Sequence, residues 1–265
     1  MGKLSYYLKI YRKLIAGYLK GLMSYKADFI VGMIGVLFMN MLGVLTIYVI
    51  FRTIPSLAGW SYYELIFMYG FFLAAYIPFG VIFENLWHLG ESLWMGDFVL
   101  YYFKPVNIFF SFISESINAK SFSHVFLSIV LLIYSGIKLQ LDWGILKILF
   151  SAIFFLGSSA VLLGMNLAAS ATAFWTGQNH SIMDFIMKLN EFSRYPFTIF
   201  TKPVKFILTY IIPFVFIAYY PVNILLHEAS FGISWFYTPA AGIGIMLLGC
   251  LIWSAGVRRY CGTGS

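Results

Sequence analysis

Long uninterrupted apolar runs limit this chain more than any other feature. They fall at about 28–51, 62–83, 116–137, 146–169, 204–220 and 237–257. A run of roughly 20 apolar residues is enough to cross the hydrocarbon core of a bilayer as a helix. Backbone groups in hydrocarbon find no water, so only helices and closed barrels can satisfy them there. Barrel strands alternate apolar and polar residues over about ten positions, whereas these runs are continuous and longer. Composition agrees: 61% of the 265 residues are hydrophobic and 10% are charged, against about 25% charged in soluble domains. Burial rises too slowly with chain length to hide that much apolar surface in water. The expected fold is all-α and integral to the membrane, a single domain over 1–265 with six transmembrane helices within 27–257 and a short tail over 258–265.

Residues 1–26 precede the first run. Apolar residues at Leu4, Leu8, Tyr11, Ile15, Tyr18 and Leu22 share one helical face, and Lys9, Lys13 and Lys20 lie opposite. A basic, aromatic-rich amphipathic helix of this kind suits the headgroup region, with membrane lipid as its partner. Lysines recur through it and no cleavable small-residue site follows, so it does not read as a signal peptide. With the N-terminus inside, 13 of the 17 Lys and Arg residues fall on the cytoplasmic side and 3 opposite, with Lys120 ambiguous. That bias predicts both termini in the cytoplasm. The net charge of +7 is then charge retained on one side of a membrane, and no nucleic-acid partner is expected. Cys250 lies in an apolar run and Cys261 in the tail, so no structural disulfide is expected.

The connection between the second and third runs is the first candidate for function. Glu84, Trp87, His88, Glu91, Trp94, Met95 and Asp97 lie in it, and it returns through Phe103, Lys104 and Pro105. Apolar and aromatic residues among carboxylates suit a docking surface for a soluble partner. Tryptophans anchoring an interfacial helix in headgroups would look the same. A second cytoplasmic loop is expected over 178–205, where Asp184 and Lys188, four apart, read as a solvated helix face. In the fourth run Ala160, Gly164, Ala168 and Thr172 place small residues on one face, which allows close helix packing within or between chains. Glu64, Glu115, Lys120 and His124 sit near helix ends, and no carboxylate is expected at mid-membrane, which argues against ion-driven transport. Pieces over 221–237 are too short to span and suggest re-entrant or interfacial structure on the outer side. The zinc motif HExxH, the nucleophile turn GxSxG and a phosphate-cradling P-loop are all absent. Neither catalysis nor a bound cofactor or metal is expected of this chain.

In this arrangement the stretch Gly90 to Pro105 carries a resemblance, above all Met95-Gly96-Asp97, Leu100 and Lys104-Pro105-Val106. Arg194-Tyr195-Pro196, Ile212-Pro213-Phe214, Tyr220-Pro221 and Arg258-Arg259-Tyr260 followed by Gly262 add to it. The chain resembles the type-2 ATP-binding cassette (ABC-2) permeases over nearly its whole length, and more narrowly a bacterial branch of about 260 residues. The resemblance implies a type V exporter-like permease in a bacterial plasma membrane. It implies a second permease chain, identical or related, and two copies of a separate ATPase that binds the ATP and Mg. The 84–104 loop would then hold the coupling helix. An ion-coupled secondary transporter and a membrane scaffold recruiting a cytosolic protein are the alternatives; neither an inverted repeat nor midplane carboxylates favour the former.

Overall fold

The computed structural model describes residues 3–227 and 232–260. The expectations placed on Glu228, Phe231, Cys261, Gly262 and the tail 261–265 lie outside the described residues. Helices run in the order α1 (Lys3–Ser24), α2 (Lys26–Thr53), α3 (Tyr62–Ile82), α4 (Leu89–Met95), α5 (Ile108–Ile113) and α6 (Phe122–Lys138). They continue with α7 (Ile145–Ala171), α8 (Ala173–Thr176), α9 (His180–Asn190), α10 (Lys202–Phe206), α11 (Tyr219–His227) and α12 (Tyr237–Arg259). The protein is all-α and integral to the membrane.

Among the described residues five helical stretches are long and apolar enough to cross a bilayer: Lys26–Thr53, Tyr62–Ile82, Ala119–Lys138, Ile145–Thr176 and Ile233–Arg259. They match five of the six expected runs. Glu64 does not weaken the start of α3, because it is used in a capping box. Ser61 Oγ accepts from the Glu64 backbone N–H at 3.4 Å, and the Glu64 carboxylate accepts from the Ser61 N–H at 2.7 Å. Two orphan donors at the helix start are thereby satisfied. α3 forms the centre of the bundle, with Leu65 to Leu73 almost wholly buried. α7 and α12 run parallel in close backbone contact. A Cβ placed on Gly164 would meet the Ile245 carbonyl oxygen at 2.5 Å, and one on Gly249 would meet the Gly164 carbonyl oxygen at the same distance. The small residue Gly164 therefore packs within the chain, against α12. Serines fasten α7 on its other sides: Ser158 donates to the Phe216 carbonyl, Ser159 to Ala75 and Ser170 to Leu86.

The sixth expected helix, over 204–220, does not exist as one element. Pro213 cannot donate a hydrogen bond within a helix. The run breaks into α10, a π-helical stretch Ile207–Ile211, a turn at Ile212 and Pro213, the short helix Phe214–Phe216, and α11. The crossing is made upstream instead, by the stretch read from sequence as a peripheral loop. Asn179 is bonded to Leu86 and Gly90 at the end of the bundle where the described termini meet. From there α9 climbs along α7 to Arg194, whose guanidinium lies over Tyr69 and Phe72. Phe197 then packs on Tyr219, itself against Trp60 at the opposite end. After that the chain dips back. Ser193 Oγ donates to the Phe214 carbonyl at 3.2 Å, and α11 rises again until His227 reaches Glu64 at 3.6 Å. The re-entrant piece is thus a V over 200–227 with Pro213 at its tip; it lies mostly upstream of the 221–237 stretch expected to hold it and shares only 221–227 with it.

This path revises the charge count. Lys202 and Lys205 follow Phe197 into the far half, while Lys188 and Arg194 lie at mid-height. Asp184 and Glu191 lie there with them, so the expectation of no carboxylate at mid-membrane does not hold, and its argument against ion-driven transport falls with it. Lys120 joins the end bearing the termini through its 3.1 Å ion pair with Asp28. The basic residues still favour that end.

Candidate functional site

The connection from α3 to α5 is the most heavily built surface at the end where α1, α4 and the end of α12 meet. Below Phe83 the chain forms a tight helical turn over Glu84–His88, then α4, then a second turn over Asp97–Phe103. Gly96 ends α4 with φ of 81°, a left-handed conformation that glycine adopts without strain. The reversal there turns Asp97 and the following apolar residues away from α4. Leu89, Gly90 and Leu93 form the buried face of α4. On its other side Trp94 is 75% exposed and Met95 56% exposed, with the carboxylates of Glu91 and Asp97 also open to solvent. Leu100 and Phe103 extend the exposed apolar rim.

The eight loop residues singled out from sequence divide into two groups. Glu91, Trp94, Met95, Asp97 and Lys104 are exposed, and the Lys104 ammonium lies 4.6 Å from the centre of the Tyr101 ring. His88 pairs with Glu91 at 3.5 Å, both half open to solvent; an exposed pair of this kind adds at most tenths of a kcal/mol. Trp87 faces inward and stacks on His180, 6.5 Å between ring centres. Glu84 is partly buried, and that burial raises its carboxyl above the ordinary range, against the opposing effects of an Asn118 hydrogen bond and His88. Burial also raises Glu115, with Asp97 adding to the effect, and the Tyr101 hydroxyl donates to Glu115.

Asn179 ties this surface to the bundle and was not among the residues expected from sequence. Its Oδ1 accepts from the Gly90 N–H at 3.2 Å and its Nδ2 donates to the Leu86 carbonyl at 2.8 Å. Ser170 Oγ donates to the same carbonyl at 2.7 Å. Gly90 is required at this place, since a Cβ there would meet Asn179 Oδ1 at 2.7 Å. These bonds tie α4 and the turn before it to the ends of α7 and α9. The sequence signal for Asn179 is only its place beside Gly177, the left-handed cap of α8.

Of the small residues predicted to form a close-packing face on α7, Gly164 meets α12. Thr172 Oγ1 turns back to the Ala169 carbonyl at 2.6 Å. Gly157, which the sequence reading passed over, makes an equivalent contact: a Cβ on Gly157 would meet Pro239 backbone at 3.0 Å. Among the described residues no group of three His, Cys, Asp or Glu side chains is placed to hold a metal ion.

A family model described as ABC-2 family transporter protein matches residues 37–264. No curated protein and no solved structure matches the chain.

Proposed function

This chain belongs to the ABC-2 family of transporter proteins, and from that premise we propose that it is the membrane-spanning permease subunit of an ATP-binding cassette exporter. ATP is bound and hydrolysed by two copies of a separate ATPase. A second permease chain, identical or related, completes the translocation path. Both termini and the 84–104 loop face the cytoplasm of a plasma membrane. The observation that carries this reading is the exposed rim of Trp94, Met95, Leu100 and Phe103 on a connection whose other face is pinned. Aromatic and Met side chains left open among carboxylates suit a protein groove, where such residues are enriched. α4 is then the coupling helix. Closure of the ATPase pair pushes on Trp94, and α4 passes the displacement through Leu86 and Asn179 to α7 and α9. The permease responds by shifting between inward- and outward-open populations.

Trp94→Ala removes a large anchor, worth over about 2 kcal/mol at an interface hot spot, or roughly thirtyfold in affinity. Affinity capture of the full chain from membranes, with vanadate-sensitive ATP hydrolysis measured in the eluate, tests this. The Trp94→Ala and Asp97→Lys variants are expected at normal abundance with most of the co-purifying hydrolysis lost. Unchanged hydrolysis in both would make the loop a membrane anchor and remove the coupling assignment.

A further inference from the structure

α9 carries Asp184 and Lys188 on one exposed face, with Glu191 and Arg194 in the short helical turn just beyond. From sequence, Asp184 and Lys188 are expected on a solvated helix face in a cytoplasmic loop. In the fold it lies at mid-height, beside Asn40 at the middle of α2 and Leu73 at the middle of α3. Charges at that depth are not tolerated against lipid, so they face a cavity or a partner. A cavity of about 210 Å³ opens there. Its lining includes Asn40, His124, Asp184, Lys188 and Asn190.

The polar groups around it are unequally satisfied. Arg194 is fully engaged: it pairs with the Glu191 carboxylate at 3.2 Å, donates to the Glu191 carbonyl at 3.2 Å, and covers the Tyr69 and Phe72 rings. Asn40 donates to His124 Nε2 at 3.3 Å and accepts from the Tyr69 hydroxyl. Asp184 and Lys188 are in none of the ion pairs among the described residues. Asn190 is only 1% exposed, and both atoms of its side-chain amide lack a hydrogen-bond partner. An unsatisfied buried amide is uncommon enough to need a cause.

A free carboxylate, a free ammonium and an orphan donor–acceptor amide around one cavity call for a ligand with complementary groups of both signs. We propose that this cleft binds the zwitterionic headgroup of an amphipathic cargo. An ammonium on the ligand meets Asp184, a carboxylate or phosphate meets Lys188, and Asn190 bonds to both donor and acceptor positions. The volume fits a headgroup and no more, being equivalent to roughly seven water molecules. The hydrocarbon part extends over the exposed apolar side chains of Phe185 and Phe192 nearby. This names the cargo class for the permease reading above and rests on it.

The test uses the purified full chain without ATPase, so that it can fail independently of the coupling assignment. Binding of a tritiated alkylphosphoethanolamine, whose primary ammonium can donate to Asn190 Oδ1, is compared with that of an alkylphosphate and an alkylammonium of equal chain length. The zwitterion is expected to bind at least tenfold tighter than either. Lys188→Gln should abolish the preference over the cationic probe, and Asp184→Asn the preference over the anionic one. Asn190→Leu should lower zwitterion affinity tenfold while leaving the melting temperature equal or higher, since it removes a buried unsatisfied group. Equal binding of the three probes would overturn the proposal. So would unchanged zwitterion binding in the Asp184→Asn/Lys188→Gln double variant. Loss of melting temperature in Asn190→Leu with binding retained would show a structural wet pocket only. Dissociation of a permease pair by the double variant, with binding unchanged, would assign the stripe to a second chain instead.

Discussion

Replacing Gly164 by alanine adds one methyl group where α7 and α12 touch backbone to backbone. The new Cβ would lie 2.5 Å from the Ile245 carbonyl oxygen, 2.6 Å from its carbonyl carbon and 2.7 Å from the Met246 Cα. Ordinary contact begins near 3.4 Å, and every atom met is backbone, so no flexible side chain can yield. The helices must separate by about 0.9 Å at this crossing, and a gap of that size forfeits a quarter to a half of each contact's attraction. The adjoining approach of Gly242 to Gly157 widens with it. Overpacking of this kind costs about 1–3 kcal/mol, partly offset by about 0.5–1 kcal/mol from alanine's better helix propensity. The net expectation is a loss of about 0–2.5 kcal/mol against the parent and about 1–3 kcal/mol against an alanine that meets no clash, or a few degrees in melting temperature. Gly244 is the internal control, because it lies on α12 with nothing within 4 Å of a built Cβ. Gly244→Ala should be neutral or stabilising. Thermal unfolding of the purified chain in detergent, followed by tryptophan fluorescence, compares them directly. Adding Gly249→Ala to Gly164→Ala should cost less than the sum of the two, since both substitutions push on one contact. Gly164→Ala melting with Gly244→Ala would refute the reasoning.

Two further outcomes follow from single side chains. Ser61→Ala removes the α3 cap and should cost about 1 kcal/mol, with Ser61→Thr restoring most of it, because a hydroxyl is needed to donate to the Glu64 carboxylate at 2.9 Å; equal melting of all three proteins would mean the cap adds nothing. Asn179→Ala leaves the buried Gly90 N–H and one bond to the Leu86 carbonyl unmade, at about 1–3 kcal/mol. Hydrogen exchange over 86–95 should quicken while exchange over α12 stays unchanged, and equal protection in variant and parent would show that Asn179 does not hold the loop.

Where the sequence was legible, a single physical demand governed the residues. α2, α3, α6, α7 and α12 must each satisfy their backbone in hydrocarbon, and a continuous apolar run is the trace of that demand. α9 escapes because it meets the demand differently. Its buried side rests on α7, with Met183 and Asn190 inside, and its other side carries Asp184 and Lys188, with Glu191 just beyond its end. Averaged along the chain, such a helix resembles a solvated loop, and Asp184 and Lys188 at four-residue spacing support that reading equally well. The apolar stretch downstream then takes its place in the count, although Pro213 turns it back at mid-depth. The loop over 84–104 shows a similar division. The exposure of Trp94 and Met95 is consistent with their place beside carboxylates, whereas Trp87, of the same residue type and seven positions earlier, turns inward onto His180. Asn179 bonds to two backbone groups some ninety residues away, a relation that no local pattern records. A crossing segment can afford charge only when one side of it is kept from lipid. The polar membrane helix that hydropathy passes over is therefore where a permease would meet its cargo.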